Sequence, residues 1–207
     1  MTGKSKIISV KTLREKTYET LDLGVYNELL GQLQSKFIMM CYGPSGSGKS
    51  VFALEFAESL SNLGKTLYNS HEEADNKTLQ DRVFEFDINS RNLYFGISLD
   101  FEQMVEKIKR NRYHFVIIDS VQYMDFTYDQ LIELKNLFKK KKKFGIVMVS
   151  FGNTIGKPDR GKELLHASDV KCFIKEGRLN VISRYLKSPV NKTLFCPKKD
   201  NRQLSLF

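Results

Sequence analysis

The stretch Gly43-Pro44-Ser45-Gly46-Ser47-Gly48-Lys49-Ser50 fits the phosphate-binding pattern G-x-x-x-x-G-K-[ST]. The apolar run at 37–42 predicts a buried strand before it, and the helical spacing of apolar residues at 51–57 predicts a helix after it. In that context glycines allow backbone N–H groups to converge on phosphate oxygens at the start of a helix. A glycine-rich turn that binds nothing is the alternative, and the full pattern between strand and helix favours phosphate binding.

Two side chains of this loop have predicted roles beyond the backbone cradle. The Lys49 ammonium would reach the β- and γ-phosphates of a nucleotide and assist hydrolysis, and the Ser50 hydroxyl would bind Mg2+. We therefore predict ATP and Mg2+ as cofactors. The predicted nucleotide contacts are Gly43, Pro44, Ser45, Gly46, Ser47, Gly48, Lys49, Ser50 and Val51.

The composition predicts one globular domain without a membrane span. The chain has 207 residues, of which 41% are hydrophobic and 28% charged, as expected for a folded protein with a single core. No apolar run is long enough to cross a bilayer and the first residues lack the apolar centre of a signal peptide, so we expect a cytoplasmic protein. Cys41, Cys172 and Cys196 are odd in number and widely spaced, so they are expected to be reduced thiols of an intracellular protein, and they lack metal-ligand spacing.

Strand-like and helical segments alternate along the chain, which predicts an α/β fold. The expected architecture is a mainly parallel sheet flanked by helices, with a C-terminal antiparallel extension. The predicted strands are 37–42, 66–70, 92–95, 114–120, 144–150, 170–174 and 179–185. The predicted helices run from 51 to about 62, from 79 to 84, from Ser98 or Asp100 to 110, from 128 to about 142, and briefly around 164–166.

Three segments are expected. Residues 1–36 form a lead-in that caps the sheet edge or docks on a neighbouring subunit, 37–196 form the core, and 197–207 form a flexible tail. The apolar anchors predicted for the lead-in are Tyr18, Leu21, Leu23, Tyr26, Leu29 and Leu30.

Carboxylates follow two of the predicted strands. Glu72 and Glu73 come just after the strand at 66–70, and Asp119 lies at the end of the apolar run 115–118. Ligands of open α/β sheets gather at the carboxyl ends of strands. Asp119 is therefore predicted to hold the Mg2+ shell opposite Ser50, against the alternative of an ordinary turn aspartate.

Two lysine-rich segments and a formal net charge of +9 favour a polyanionic partner such as DNA or RNA. The run at 139–143 is either a solvated helix end that complements the helix dipole or a nucleic-acid patch, and both interpretations stay open. The glycine- and lysine-rich loop at 151–163 is predicted to meet DNA with Lys157, Arg160 and Lys162.

Together these motifs resemble the RecA-type ATPase core, and within it the RadA/Sms and DnaB-like branch. The resemblance rests on residues 43–50, 67–73, 116–122 and 164–170, and it covers roughly residues 20–190. It implies a RecA-like P-loop fold, ATP hydrolysis, and assembly of identical subunits into a ring or filament.

The resemblance also implies roles for single residues. In this family the glutamate that ends the second core strand activates the attacking water; the matching position is Glu72, and the neighbouring Glu73 could substitute. The alternative is an exposed acidic turn without a catalytic role. The family's Lys-Asn-Arg-Phe-Gly motif should fall near Lys187, where this chain reads Lys-Ser-Pro-Val-Asn. Lys187 or Arg184 would then act as a finger on the γ-phosphate of a neighbouring subunit.

The last five residues resemble the peptide with which bacterial proteins bind the sliding clamp. They read Gln203-Leu204-Ser205-Leu206-Phe207. The resemblance implies a hydrogen bond from Gln203 and an apolar pocket filled by Leu206 and Phe207, with Leu204 completing the motif. The alternative is a tail that packs on its own domain.

These observations predict a RecA-like ATPase that acts on DNA, preferentially single-stranded, in replication, recombination or repair. Its tail would tether it to a sliding clamp. One alternative is a low-turnover nucleotide-binding adaptor, similar to the ImuA-type proteins, that recruits a polymerase or helicase to the clamp. Another is the motor of a DnaB-like helicase.

Overall fold

A computed structural model describes residues 7–72, 76–139, 141–158 and 161–193. Within these ranges the helices are α1 Val10–Glu15, α2 Tyr26–Leu30, α3 Lys49–Ser61, α4 Lys77–Glu85, α5 Phe101–Asn111, α6 Tyr128–Leu137 and α7 Lys162–Ala167. The strands are β1 Lys36–Gly43, β2 Thr66–Ser70, β3 Leu93–Ile97, β4 Phe115–Asp119, β5 Phe144–Phe151, β6 Val170–Lys175, β7 Arg178–Ser183 and β8 Val190–Thr193. None of the helices in this part of the chain has the length and apolar character needed to cross a bilayer.

The strands form one sheet in the order β3-β2-β4-β5-β1-β6-β7-β8. Strands β1 to β6 pair in parallel, and β7 and β8 add to β6 in antiparallel fashion. The predicted α/β class, the parallel sheet and the antiparallel extension are therefore confirmed. We define the carboxyl edge as the side of the sheet where β1 to β6 end, and the amino edge as the side where they begin.

Helices cover both faces of the parallel sheet, so successive residues of a strand enter different cores. On one face Phe52 and Phe56 of α3 pack near Phe37 of β1. On the other, α5 and α6 bury Met104 and Leu134 completely. Burial on both faces explains why the central strands are continuous apolar runs rather than alternating ones.

The lead-in packs partly on the core of its own chain. Its four predicted leucine anchors are buried in the same cluster as α3: Leu21, Leu23, Leu29 and Leu30. Tyr26 joins them, with its ring centroid 5.0 Å from that of Phe56. The prediction for Tyr18 is wrong, because its side chain is 49% exposed and lies under the Lys16 ammonium at 4.7 Å.

Helix α6 is shorter than the sequence predicts, and β8 was not predicted. The helix ends at Leu137, because the Phe138 ring turns to stack on Phe144 at 3.7 Å. The Lys141 ammonium then donates a hydrogen bond to the Tyr113 carbonyl. The described lysines of the run 139–143 thus lie in the connection from α6 to β5. β8 is four mostly exposed residues, too short and polar to be recognised as a strand.

Candidate active site

The glycine-rich loop joins the end of β1 to the start of α3. A Cβ atom on Gly43 would lie 1.9 Å from the Ile174 carbonyl oxygen of β6, so only glycine fits this close approach. Gly48 precedes the helix with a φ of 96°, in the left-handed region that favours glycine. The loop thereby places the N-terminal N–H groups of α3, and the positive end of its dipole, at the carboxyl edge.

Lys49, the first residue of α3, folds its side chain back across the loop. It is 6% exposed, and its Nζ donates a hydrogen bond of 2.7 Å to the Pro44 carbonyl oxygen. Burial lowers the pKa of Lys49, whereas the negative charges of Glu72 and Asp119 act to raise it. The ammonium is therefore enclosed by the loop and within electrostatic reach of both predicted carboxylates.

Asp119 ends β4 beside the loop and is 3% exposed. Its Oδ1 accepts a hydrogen bond of 3.4 Å from the Ser50 hydroxyl, and its Oδ2 accepts one of 2.5 Å from the Tyr68 hydroxyl. Tyr68 comes from the neighbouring strand β2 and orients this buried carboxylate toward the loop. Sequence reasoning missed Tyr68, because a tyrosine in a buried strand looks like a core residue.

The donors and acceptors around the loop fit a nucleotide phosphate with a magnesium ion. Ser50 and Asp119 offer hydroxyl and carboxylate oxygens, the hard ligands that Mg2+ prefers. The Ser47 Oγ is buried and has no hydrogen-bond partner among the described residues, so the loop holds a polar group in need of a partner. Gly46 and Gly48 leave the cradle itself without bulky side chains.

Glu72 follows β2, the strand next to Asp119. Partial desolvation of the carboxylate raises the pKa of Glu72, and the negative charge of Asp119 raises it further, while Lys49 and Arg82 oppose the rise. The residue as a whole is exposed, so water has access to it. Glu73, the predicted substitute, lies outside the described residues.

A hydrogen-bond network that sequence reasoning missed ties the ends of β4 and β5 together. The Gln122 Nε2 donates to the Ser150 Oγ at 2.7 Å, and the Phe151 N–H donates to the Gln122 Oε1 at 3.2 Å. Ser150 is fully buried. A serine near the end of an otherwise apolar strand was the available signal, since the carboxyl ends of β4 and β5 lie side by side.

The predicted DNA-binding loop is attached to the phosphate loop at its base. The Gly152 N–H donates a hydrogen bond of 2.9 Å to the Gly43 carbonyl. Lys157 is exposed, and Lys162 is the exposed first residue of α7. Arg160 lies outside the described residues.

An exposed aromatic residue, also missed from the sequence, lies beside this loop. Tyr123 is 59% exposed, and its ring centroid is 5.8 Å from that of Phe151. The Lys49 ammonium lies 5.3 Å from the same Phe151 ring. The carboxyl edge thus combines an aromatic surface with the base of a lysine-bearing loop.

The remaining predicted residues are not brought to this site. Arg184 follows β7 at the amino edge, where its guanidinium donates a hydrogen bond of 2.9 Å to Asp169, and Lys187 is exposed in the connection to β8. Neither lies beside the phosphate loop of its own chain, so a role as finger on a neighbouring subunit stays a prediction. The clamp-binding residues at 203–207 and Cys196 lie outside the described residues.

Comparisons with known proteins agree with this architecture. A family model described as "AAA domain" matches residues 32–154. The crystal structure of a KaiC-like protein from the archaeon Pyrococcus horikoshii OT3 matches with a TM-score of 0.64 at 13% identity, over 86% of this chain and 93% of that chain. This likeness shows a KaiC-like RecA P-loop fold.

Two curated proteins are similar over about half of the chain. The DNA repair protein RadA of Aquifex aeolicus is 30% identical over 110 residues, which is 53% of this chain and 24% of that protein. The DNA repair protein RadA of Campylobacter jejuni is 31% identical over 106 residues, 51% of this chain and 24% of that protein. The match thus spans about a quarter of the length of these relatives.

Proposed function

The chain belongs to the AAA domain family and is a RecA-like P-loop ATPase, and from this premise we propose that it hydrolyses ATP while acting on single-stranded DNA in replication, recombination or repair. One observation carries the proposal. Lys49 and Ser50 of the phosphate loop meet the buried Asp119 of β4 at the carboxyl edge, where the Ser50 hydroxyl donates a hydrogen bond of 3.4 Å to Asp119.

In the proposed mechanism each of these side chains has a separate task. Mg2+, when bound, would neutralise charge on the β- and γ-phosphate oxygens during phosphoryl transfer. Ser50 and Asp119 would hold the ion, with the Tyr68 hydroxyl fixing the carboxylate. The Lys49 ammonium would exchange the Pro44 carbonyl for phosphate oxygens, which are stronger acceptors because they are charged.

Glu72 is proposed to orient the attacking water and to accept its proton. Its exposed position gives water access, and its raised pKa makes it a stronger base than an ordinary glutamate. In this proposal the water oxygen bonds to the γ-phosphorus and the bond from that phosphorus to the β–γ bridging oxygen breaks. The products are inorganic phosphate and the nucleoside diphosphate, which is the leaving group.

Three observations support DNA as the partner. The net charge is +9, the curated relatives are named DNA repair proteins, and the loop that carries Lys157 is hydrogen-bonded at its base to the phosphate loop. Tyr123 beside that loop offers a surface for base stacking. DNA bound at the loop at 151–163 would act on the phosphate loop through the hydrogen bond between Gly152 and Gly43.

The test is the rate of ATP hydrolysis across a titration of single-stranded DNA. We expect Lys49→Ala and Glu72→Gln each to lower turnover by at least about a hundredfold, because each removes a group that acts in the transition state. Glu72→Gln should retain binding of a fluorescent ATP analogue. Glu133→Gln, a matched change of an exposed glutamate on α6, should turn over normally.

The DNA part of the proposal is tested separately in the same assay. Turnover of the wild type should rise with added single-stranded DNA, and a Lys157→Gln/Lys162→Gln variant should lose that rise. Normal turnover in both site variants would overturn the site assignment. A rate that ignores DNA would overturn only the partner.

A low-turnover adaptor is the second candidate, because one of the two predicted finger residues is already paired within its own chain at the amino edge. Arg184, a predicted finger, is already paired with Asp169 of its own chain at 2.9 Å. A protein that binds ATP but hydrolyses it slowly even at saturating DNA would favour the adaptor over the ATPase.

For either function we propose that residues 203–207 bind a sliding clamp, on the strength of their sequence. A pull-down with a bacterial clamp should lose its signal when these residues are deleted. Unchanged capture by the deletion variant would refute the tether, as would failure of the full chain to bind.

A further inference from the structure

The amino edge of the sheet, opposite the candidate active site, carries basic side chains from separate connections. In sheet order from β3 to β1, these residues precede or begin successive strands: Arg91, Lys65, His114, Lys143 and Lys36. We name this series the basic edge. The two residues before each of β3, β2, β4 and β5 read Arg-Asn, Gly-Lys, Tyr-His and Lys-Lys, without a carboxylate.

Backbone hydrogen bonds hold these strand beginnings side by side. The His114 N–H donates to the Lys65 carbonyl at 2.8 Å, and the Gly145 N–H donates to the His114 carbonyl at 3.1 Å. The Phe144 N–H donates to the Ser35 carbonyl at 2.7 Å. Because neighbouring strands lie about 4.8 Å apart, the row spans about 19 Å. Measured along the axis of a duplex, where each strand carries one phosphate per about 3.4 Å, that length corresponds to about five or six base-pair steps.

Three lysines of this edge lie close enough to His114 to act on its charge. Burial lowers the pKa of His114, and the positive charges of Lys141, Lys143 and Lys65 lower it further. These ammonium groups come from the connections before β5 and β2. They therefore act on one point of the surface and add to one another's field.

A groove of about 410 Å³ continues the row between β1 and α6. Lys36, Lys135 and Lys139 line it, and the Lys36 Nζ donates a hydrogen bond of 3.0 Å to the Lys139 carbonyl. The carboxylate in the lining, Asp169, is paired with Arg184. The free charge of the groove is thus positive.

An aromatic side chain lies at the other end of the row. Tyr94 of β3 is 40% exposed, and the Lys65 ammonium lies 5.7 Å from its ring. Lysines interleaved with an exposed aromatic ring form the surface on which nucleic acids bind by phosphate contact and stacking.

We propose that the basic edge binds the phosphate backbone of nucleic acid, as a second contact surface on the opposite side of the sheet from the loop at 151–163. The inference rests on the proposed function only for the class of partner. Complementing the negative ends of α3, α5 and α6 is a further role for lysines at this edge. That role does not account for Lys36, because Lys36 begins β1, and β1 follows the lead-in rather than α3, α5 or α6.

The test variant is Lys65→Gln/Lys139→Gln/Lys143→Gln in the full chain, without nucleotide. The probes are a fluorescein-labelled single strand of about 20 nucleotides and the matching duplex, followed by anisotropy from about 50 to 200 mM salt. The slope of log K against log salt is negative, and each lost phosphate contact makes it less steep by about 0.7 for a single strand. We expect the slope of the triple variant to be less steep by about 2 and its affinity to be at least about tenfold weaker.

Two matched variants separate position from net charge. Arginine at the same three positions keeps the charge and should keep the binding. Glutamine at Lys77, Arg178 and Lys192 removes the same charge and should leave the binding nearly unchanged, because these exposed side chains lie at the start of α4 and at the far ends of β7 and β8. If the triple glutamine variant melts more than about 2 °C below the wild type, the single variants Lys65→Gln and Lys139→Gln are used, each with an expected slope change of about 0.7.

Three outcomes would overturn the proposal: wild-type affinity in the triple variant, an equal loss in the remote variant, or competition by polyglutamate as effective as competition by DNA. The last would identify an acidic polypeptide as the partner. ATP turnover without DNA should be unchanged in the triple variant. Failure of the ATPase proposal, read from Lys49→Ala, is therefore distinguishable from failure of this one.

Discussion

The two edges of this sheet differ in charge and in the burial of that charge. At the carboxyl edge, Asp119 and Lys49 are almost fully buried and hydrogen-bonded. At the amino edge, Lys36, Lys65 and Lys139 are exposed. A buried charge acts strongly and alone because little solvent screens it, whereas exposed charges act weakly and only in number.

The difference follows from the direction of the strands and helices. Every helix that connects parallel strands begins near the carboxyl edge and ends near the amino edge, so the helix dipoles are positive at one edge and negative at the other. Phosphates suit the first edge, and lysines suit the second. We expect single substitutions to have large effects at the carboxyl edge and small, additive ones at the amino edge.

The largest effect is expected for Gly43→Ala. The new Cβ would meet the Ile174 backbone at 1.9 Å and displace β6 or the loop. We expect nucleotide binding to be lost, with a fall in the free energy of unfolding of about 3 kcal/mol. Isothermal titration calorimetry with ATP measures the loss of nucleotide binding, and urea denaturation measures the fall in the free energy of unfolding.

Gly145→Ala at the amino edge is the control for Gly43→Ala. Its Cβ would meet the buried rings of Phe37 at 2.5 Å and Phe115 at 2.9 Å, so we expect a loss of about 1–3 kcal/mol in the free energy of unfolding. Nucleotide affinity should be retained, because the overpacked position lies at the start of β5, away from the phosphate loop. Equal loss of affinity in both variants would break the contrast between the edges.

Asp119→Asn should come next. Losing the negative charge weakens the proposed magnesium shell, and the Mg2+ concentration for half-maximal turnover should rise by about 10- to 100-fold. A Mg2+ titration of the ATPase rate measures this. Asp129→Asn, an exposed aspartate of α6, should keep the wild-type midpoint, and an unshifted midpoint in Asp119→Asn would remove this residue from the metal site.

Tyr68→Phe should have an intermediate effect. It removes a hydrogen bond of 2.5 Å to the buried Asp119 carboxylate, which costs about 1.5–3 kcal/mol because the acceptor is charged. We also expect turnover about tenfold lower, since the carboxylate is less well oriented. For Tyr94→Phe, at an exposed ring of the amino edge, the stability change should stay within about 0.5 kcal/mol. Similar changes in both would show that Tyr68 acts only as packing.

The smallest effect concerns the pH dependence at His114. Its pKa is lowered, so the unfolded chain takes up this proton at a higher pH than the folded chain. The contribution to the free energy of unfolding is therefore complete above the ordinary histidine pKa and is lost as the pH falls through the folded pKa. His114→Asn should lose less stability on acidification than the wild type.

A nuclear magnetic resonance titration of the partly buried His114 imidazole sharpens this prediction. The His114 resonance should titrate below the ordinary histidine pKa, and a bound oligonucleotide should move it upward by neutralising the lysines around it. A midpoint at or above the ordinary value would contradict the positive field of the basic edge.

Local patterns were sufficient for the phosphate loop and for the strands that carry the site. The predicted strand at 66–70 and the observed β2 coincide. The segment follows the helix stop at Gly64, and all five of its residues are buried in the sheet. Asp119 was recognisable because a carboxylate at the end of a fully apolar strand has few structural explanations. Glu72 was recognisable through its position two residues after β2, although its role stays a prediction.

Local patterns failed where a distant partner decides the outcome. Helix α6 ends early because Phe138 stacks on Phe144 of the next strand. Tyr18 looked like its buried leucine neighbours but stays 49% exposed, because no part of the described core reaches it. Tyr68 and Ser150 looked like ordinary strand residues until the neighbouring strands were known.

The sequence by itself determined the α/β class, the phosphate loop and the chemical types available at the strand ends, since these depend on residues close together along the chain. The order β3-β2-β4-β5-β1 was decided only by tertiary structure. That order joins Glu72, Asp119 and Lys49 at one edge and aligns Lys65, His114, Lys143 and Lys36 at the other. The physical reason is that parallel pairing brings strand ends together regardless of their separation in sequence. A local pattern identifies a strand but does not show which other strands it pairs with.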